Sequence, residues 1–231
     1  MKSLLTTLGV SLLPFMAFAA PPTAVKVTYE LYRNNLFIAV IHESYTAADG
    51  KYRIDSEATT QGLVALVKKD RITRMSSGAV AAGGLKPESF EEKRISGDKE
   101  KTASARFDWN GATISLVHDG KTESHPLQAG TQDIASLFYQ FLFNAPKKDT
   151  VKVTVTNGKR LEDYEYRFVD EQSVDTPAGT FTAGHYRHIS DNGDRKTEIW
   201  LAREKSSFPI RLLQDDEGTV LEQRLVALTF N

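Results

Sequence analysis

Residues 25–35, VKVTYELYRNN, show the alternation from which a β fold can be predicted. Large apolar side chains occupy every second position and polar ones the positions between, which is typical of a strand with one buried and one exposed face. Asn34 and Asn35 then tolerate the positive φ angles of a tight hairpin, so the next strand should pair antiparallel with this one. We therefore predict a β-hairpin here.

The same alternation returns in residues 103–109, 151–155 and 164–168, and short turn sequences separate such runs. The turn sequences are Asp49-Gly50, Asn110-Gly111, Asp119-Gly120, Asn157-Gly158, Asp191-Asn192-Gly193 and Glu217-Gly218. About a dozen strands result, and a sheet of that size must curl, fold over or wrap around a cover for its apolar face. We predict a single, mainly β domain over residues 20–231, a large curved antiparallel sheet that forms an open or incomplete barrel.

One segment departs from the period of two. Residues 133–143, DIASLFYQFLF, have an apolar stripe with helical spacing, formed by Ile134, Leu137, Phe138, Phe141 and Leu142. Asp133 is a suitable N-cap and Pro146 ends the helix. We predict one amphipathic helix over 133–143 that covers the concave face of the sheet. Residues 76–87, rich in Gly, Ala and Ser, are predicted to form a long flexible loop.

The first nineteen residues have the features of an export signal. Lys2 supplies the positive start, an apolar core follows, and Ala17-Phe18-Ala19 matches the small-x-small cleavage pattern. The apolar core is about fifteen residues, or about 22 Å, shorter than the bilayer core of about 30 Å. We expect cleavage after Ala19 and a periplasmic location.

Composition narrows the possible partners. The chain has 29 Lys and Arg against 30 Asp and Glu, well mixed, so a nucleic-acid partner is not expected. It has no cysteine, which excludes disulfides and the lipid-bearing Cys of a lipoprotein. No second apolar stretch is long enough to cross a bilayer. We expect a soluble mature protein without a transmembrane segment.

Residues for catalysis or metal binding are scarce. The sequence has no nucleophile elbow, HExxH, P-loop or dinucleotide fingerprint. His185 and His188 lie on one predicted strand, where residues three apart face opposite sides, so they do not chelate one ion. The carboxylates of 191–194 and 215–218 coincide with predicted turns. No catalytic residue, metal ligand or cofactor is assigned.

The aromatic and aliphatic residues of the predicted helix are the candidates for binding an apolar ligand. They are Leu137, Phe138, Phe141 and Leu142, together with Trp200 from a later strand. A large curved sheet also needs such side chains to fill its core, so a purely structural role is the alternative interpretation.

Several short segments, in order along the chain, carry a family resemblance. They are residues 52–58 (YRIDSEA), 62–63 (GL), 132–140 (QDIASLFYQ), 176–181 (TPAGTF), 199–202 (IWLA) and 208–211 (FPIR). Their succession resembles the exported bacterial family known as domain of unknown function 3108. The resemblance implies a periplasmic, largely antiparallel β protein without an assigned activity. It marks Asp133, Ser136, Gln140 and Gly179 as motif residues of unknown role.

Three functions remain open at this point. The first is a binding or carrier module for an apolar envelope ligand, a lipid or a lipoprotein acyl chain, similar in architecture to half-barrel carriers. The second is a non-catalytic interaction protein with a partner in envelope assembly. The third is an envelope hydrolase that uses His185 or His188 with a nearby carboxylate. A hollow space between helix and sheet would favour the carrier, and a filled one the interaction protein.

Overall fold

The computed structural model describes residues 21–67, 69–189, 193 and 195–231. The predicted signal and the predicted turn at Asp191-Asn192 lie outside these residues. The described part contains fifteen strands: β1 Ala24–Arg33, β2 Leu36–Ala48, β3 Lys51–Thr60, β4 Asp70–Ala81, β5 Gly84–Ser96, β6 Lys99–Asp108, β7 Thr113–His118, β8 Lys121–Pro126, β9 Gln132–Asp133, β10 Val151–Thr156, β11 Leu161–Thr176, β12 Gly179–Ile189, β13 Arg195–Ala202, β14 Phe208–Asp216 and β15 Thr219–Phe230. Three short helical segments accompany them: α1 Leu137–Gln140 and the 3-10 helices Gly62–Leu66 and Arg203–Lys205.

All fifteen described strands belong to one sheet with the order β8-β7-β6-β5-β4-β3-β2-β1-β15-β14-β13-β12-β11-β10-β9. Neighbouring strands follow one another in sequence, except that β1 pairs with β15. All pairs are antiparallel except the parallel pair of β9 and β10. The first and last long strands therefore join two meanders. The prediction of a large, open, curved antiparallel sheet is confirmed.

The predicted hairpin turns explain this sequential order. Asn34-Asn35, Asp49-Gly50, Asp119-Gly120 and Glu217-Gly218 each form a two-residue connection in which both φ angles are positive. Asn and Asp tolerate this conformation and Gly adopts it without a Cβ penalty. These four turns follow from local chemistry, and each sends the chain back beside the strand it has just left.

The buried face of the sheet holds one main core. Rows of side chains run across the strands, and one fully buried row combines Val25, Tyr45, Ile54, Ser76, Phe90, Ala105 and Leu116. A second cluster lies around α1 and contains Leu137, Phe141, Val155, Tyr166, Tyr186, Ile199 and Leu201. The segment around α1 touches both clusters, because Tyr139 belongs to the main core. It covers the sheet as predicted.

The helix is nevertheless shorter than the predicted span of 133–143. Asp133 belongs to β9, and the N–H of Ile134 donates to the Thr156 carbonyl at 3.0 Å, which keeps this residue out of the helix. The N-cap position is Ser136 rather than Asp133. After Gln140 the chain continues in tight turns, with the N–H of Leu142 bonded to the Tyr139 carbonyl. Strand pairing at one end therefore overrides a good local helical pattern.

The prediction of a long loop over residues 76–87 is wrong. These residues form the tip of the β4–β5 hairpin, with only Ala82 and Gly83 between the strands. The small residues allow the backbones of β4 and β5 to approach each other closely. A Cβ at Gly78, which lies at a bulge, would collide with the backbone of Lys86 and Pro87 on β5. Small side chains here reflect tight backbone packing and not flexibility.

None of the helices in the described part of the chain is long and apolar enough to cross a membrane.

Candidate functional site

Asp133 is the centre of a buried polar cluster. It is fully buried, and its carboxylate accepts hydrogen bonds from Ser76 Oγ at 2.6 Å and from the N–H groups of Ala135 and Ser136 at 2.9 and 2.8 Å. The Tyr52 hydroxyl lies 3.0 Å from Ser76 Oγ. Burial raises the pKa of Asp133 to about 6, against the opposing effect of these hydrogen bonds. The cluster connects β9 to β3 and β4.

The glutamines of the same motif extend this connection. Gln132 Nε2 donates to the Leu85 carbonyl at 3.0 Å, and the N–H of Leu85 donates to Gln140 Oε1 at 2.7 Å. Gln140 Nε2 also donates to the Gly83 carbonyl at 2.8 Å. The segment from Gln132 to Gln140 therefore connects the β9 edge of the sheet to the β4–β5 hairpin, which belongs to the other half of the strand order. This geometry gives Asp133, Ser136 and Gln140 a structural role.

Gly179, the fourth motif residue, lies elsewhere. It follows the exposed turn between β11 and β12, has a φ of 126°, and accepts a hydrogen bond on its carbonyl from Thr176 Oγ1 at 3.0 Å. A turn with such a φ favours glycine because no Cβ has to be accommodated. Gly179 therefore shapes a hairpin.

The structure brings together only part of the predicted ligand-binding set. Leu137 and Phe141 are buried in the cluster around α1, where Phe138 also packs, while Leu142 packs against the main core. Trp200 is buried on the opposite face of β13 from Ile199 and Leu201, which contact that cluster. A role of these five residues in ligand binding stays a prediction.

His185 and His188 are both buried and lie on opposite faces of β12, as predicted. The His185 ring stacks on Trp200 with 4.6 Å between centroids, and its Nδ1 and Nε2 lie 3.1 Å from Asp170 Oδ1 and 3.3 Å from Glu198 Oε1. Among the described residues no hydroxyl group bonds to either imidazole, and no three His, Asp or Glu side chains are placed to hold a metal ion. The arrangement orients His185 between two carboxylates.

An open pocket lies at one end of the sheet, where β1 and β3 end and β2 and β4 begin. Its volume is about 620 Å³, and we call it the mouth pocket. It is lined by Leu31, Arg33, Asn34, Leu36, Ile38, Ala39, Ala58, Thr60, Val64, Asp70 and Ile72. Seven of these eleven side chains are aliphatic. Pockets of this size and composition are typical of sites for small apolar ligands.

The rim of the mouth pocket exposes unusually apolar side chains. The 3-10 helix Gly62–Leu66 connects β3 to β4 and supplies Val64 to the lining. Beside it, Leu63, Leu66 and Val67 are 73%, 82% and 91% exposed. Single exposed apolar residues are common, but three within five positions at the edge of an apolar pocket form a patch of the kind that contacts ligands.

The inner limit of the mouth pocket is a polar row across the strands. Glu43, Ser56, Arg74 and Glu92 are cross-strand neighbours on the same face, one row further in than Ala58 and Ile72. Ser56 Oγ donates to Glu43 Oε1 at 3.0 Å, and Arg74 Nε donates to Glu92 Oε2 at 2.8 Å. Burial raises the pKa of Glu43. An apolar ligand would therefore stop at this row.

The mouth pocket could not be predicted from the sequence, because its lining comes from four strands, each with ordinary alternation. One local signal was present: residues 62–67, GLVALV, form an apolar run without the period of a strand and too short for a stable helix. Such a run between two amphipathic strands indicates an exposed apolar connection.

A larger groove of about 770 Å³ crosses β1 to β6. Its lining mixes cations and carboxylates, with Lys26 and Lys93 on the same face of the sheet as Asp55, Glu57 and Glu91. Charges of both signs compensate each other there, so the groove does not select one class of ligand.

Comparison with known proteins identifies a family and a fold. The family model described as "Protein of unknown function (DUF3108)" matches residues 28–222, which confirms the predicted resemblance. The comparison with curated proteins found no match. The crystal structure of a beta-barrel-like protein of domain of unknown function DUF1849 from Brucella abortus is similar, with a TM-score of 0.63 and 10% sequence identity over 92% of this chain and 100% of that chain. At that identity the likeness concerns the fold alone.

Proposed function

We propose that this chain, which belongs to the DUF3108 family of proteins of unknown function, is a soluble periplasmic carrier or binding module for an apolar ligand. The ligand would be a lipid or the acyl chain of a lipoprotein, held in the mouth pocket. The space beneath α1 is filled by side-chain packing around Leu137 and Phe141, which on its own favours the interaction protein. The carrier proposal rests on a different site, the mouth pocket at the open end of the sheet.

One observation carries the proposal: an aliphatic pocket of about 620 Å³ opens beside three exposed apolar side chains, Leu63, Leu66 and Val67. Burying this surface against an acyl chain would remove apolar area from water, at roughly 25 cal/mol per Å². The rim residues would contact the part of the chain that extends beyond the pocket. The features of residues 1–19 support export to the periplasm.

Filling the pocket should abolish binding. Ala58 lines the mouth pocket and is partly buried, so Ala58→Phe places a ring where the ligand would lie. We expect the affinity for N-phenyl-1-naphthylamine, a neutral fluorescent probe, to fall at least about tenfold because the space is occupied. Fluorescence titration, followed by displacement with monolauroylglycerol, measures this.

The matched control is Ala227→Phe, which adds the same ring at an exposed position on β15 that does not line the mouth pocket. It should leave the affinity unchanged. Equal binding by wild type and Ala58→Phe, or no binding of the probe by the wild-type protein, would contradict the proposed function.

A further inference from the structure

A second, smaller pocket at the same end of the sheet is rich in cations. It has a volume of about 270 Å³ and we call it the basic pocket. It is lined by Glu92, Arg94, Ser96, Lys99, Lys101, Thr102 and Lys159. Its one carboxylate, on Glu92, is already paired with Arg74. Among the ion pairs of the described residues, none includes the four cations of the pocket, so their charge is available to an anion.

The basic pocket directly adjoins the mouth pocket. Ile72 lines the mouth pocket, and its cross-strand partner on β5 is Arg94, which in turn is opposite Lys101 on β6. Asp70 and Ser96 form a second such pair across the same border. Directly opposed side chains have Cβ atoms about 5 Å apart. An apolar site and a cationic site are therefore continuous on one face of the sheet.

The other half of the sheet contributes the last cation. Lys159 lies in the turn between β10 and β11, and the neighbouring Gly158 has a φ of 80°. A Cβ at Gly158 would lie 2.9 Å from Ser104 N and 3.0 Å from Ala103 C, so this turn is pressed against β6. The contact places Lys159 beside Lys101 and completes the basic pocket from both sides.

We propose that the ligand of this protein is an anionic amphiphile. Its apolar chain lies in the mouth pocket, which is where this inference depends on the proposed function, and its phosphate or carboxylate head group binds Arg94, Lys101 and Lys159. The Arg94 guanidinium offers a fork of donors suited to two oxygens of one anion, while the lysines add point charges. A neutral lipid would leave these cations without a partner.

Three probes separate the two halves of the ligand: lauroyl glycerol phosphate, monolauroylglycerol and glycerol phosphate, each titrated calorimetrically below its micelle concentration. The wild-type protein should bind lauroyl glycerol phosphate at least about tenfold more tightly than monolauroylglycerol, because hydrogen bonds to a charged group are strong. Glycerol phosphate alone should bind far more weakly than either lipid. In the double variant Arg94→Gln/Lys101→Gln, which keeps Lys159, the preference for lauroyl glycerol phosphate should fall at least about threefold, with the affinity for monolauroylglycerol unchanged.

The matched control is Lys121→Gln/Lys147→Gln, which makes the same change in net charge at two exposed lysines outside both pockets. It should keep the preference for the phosphate. Equal affinity of the wild type for the two lipids would overturn this inference and leave the proposed function intact. Glycerol phosphate bound as tightly as its lauroyl ester would also overturn it, because the basic pocket would then bind an anion without the chain. If neither lipid binds, the proposed function fails as well.

Discussion

At pH 4, where the folded protein keeps the Asp133 carboxyl protonated, replacing Asp133 by alanine should lower the free energy of unfolding by about 3–5 kcal/mol, because three buried donors would lose their acceptor. The donors are Ser76 Oγ and the N–H groups of Ala135 and Ser136. No water replaces the carboxylate easily at a position that is fully buried. Urea denaturation followed by tryptophan fluorescence measures the change. A loss below about 1 kcal/mol, the range of an ordinary surface substitution, would contradict the structural role of the cluster.

Asp133→Asn is the conservative control, since its side-chain oxygen can still accept from both N–H groups. Asp133→Asn also removes the ionisable carboxyl group, so this position no longer titrates. The folded pKa of about 6 exceeds the ordinary value of 3.8, so the folded state keeps this proton where the unfolded state has lost it. Below about pH 4 the protonated Asp133 side chain therefore adds on the order of 3 kcal/mol to the free energy of unfolding. This contribution is lost as the pH rises from about 4 to 6. Relative to the wild type, Asp133→Asn should gain stability over this window, and Asp98→Asn, at an exposed turn, should not.

Gly158→Ala should be the second strongly destabilising change. The added Cβ meets backbone atoms of β6 at 2.9 and 3.0 Å, which cannot move as the end of a flexible side chain could. Gly97 is the matched control, because its φ of 58° is also positive and a Cβ there meets nothing within 4 Å. We expect Gly158→Ala to cost about 3 kcal/mol and Gly97→Ala about 1 kcal/mol, the latter from backbone strain alone.

Thermal and urea unfolding of the two glycine variants, compared side by side, measure the difference. Equal losses of stability would mean that the β10–β11 turn is not pressed against β6. In that case Lys159 would not be held at the basic pocket.

The strands and hairpins were predictable because their determinants are local. Asn34-Asn35 and Asp49-Gly50 specify tight turns through their own φ preferences, and alternation specifies the buried face. From these two signals the large antiparallel sheet follows. The pairing of β1 with β15 does not follow from them, because neither strand contains a signal that specifies a partner almost two hundred residues away.

The features that the sequence predicted wrongly depend on contacts between distant segments. Ile134 has a helical pattern around it, but its N–H group bonds to the Thr156 carbonyl, so the helix begins only at Leu137. Gly78 suggests a loop, whereas it permits a close approach of β5. The juxtaposition of Arg94, Lys101 and Lys159 was not predictable at all, because only the fold brings the β10–β11 turn beside β6. Long-range packing creates each of these sites.

Photolabelling locates the bound acyl chain on the protein. A monolauroylglycerol analogue with a diazirine at the end of its chain is irradiated with the wild-type protein, and the labelled peptides are identified by mass spectrometry. We expect label within residues 31–39 and 58–72, where the mouth pocket and its rim lie, and loss of that label with excess monolauroylglycerol. Label confined to residues 134–142 or to Trp200, or label that excess monolauroylglycerol does not displace, would contradict it.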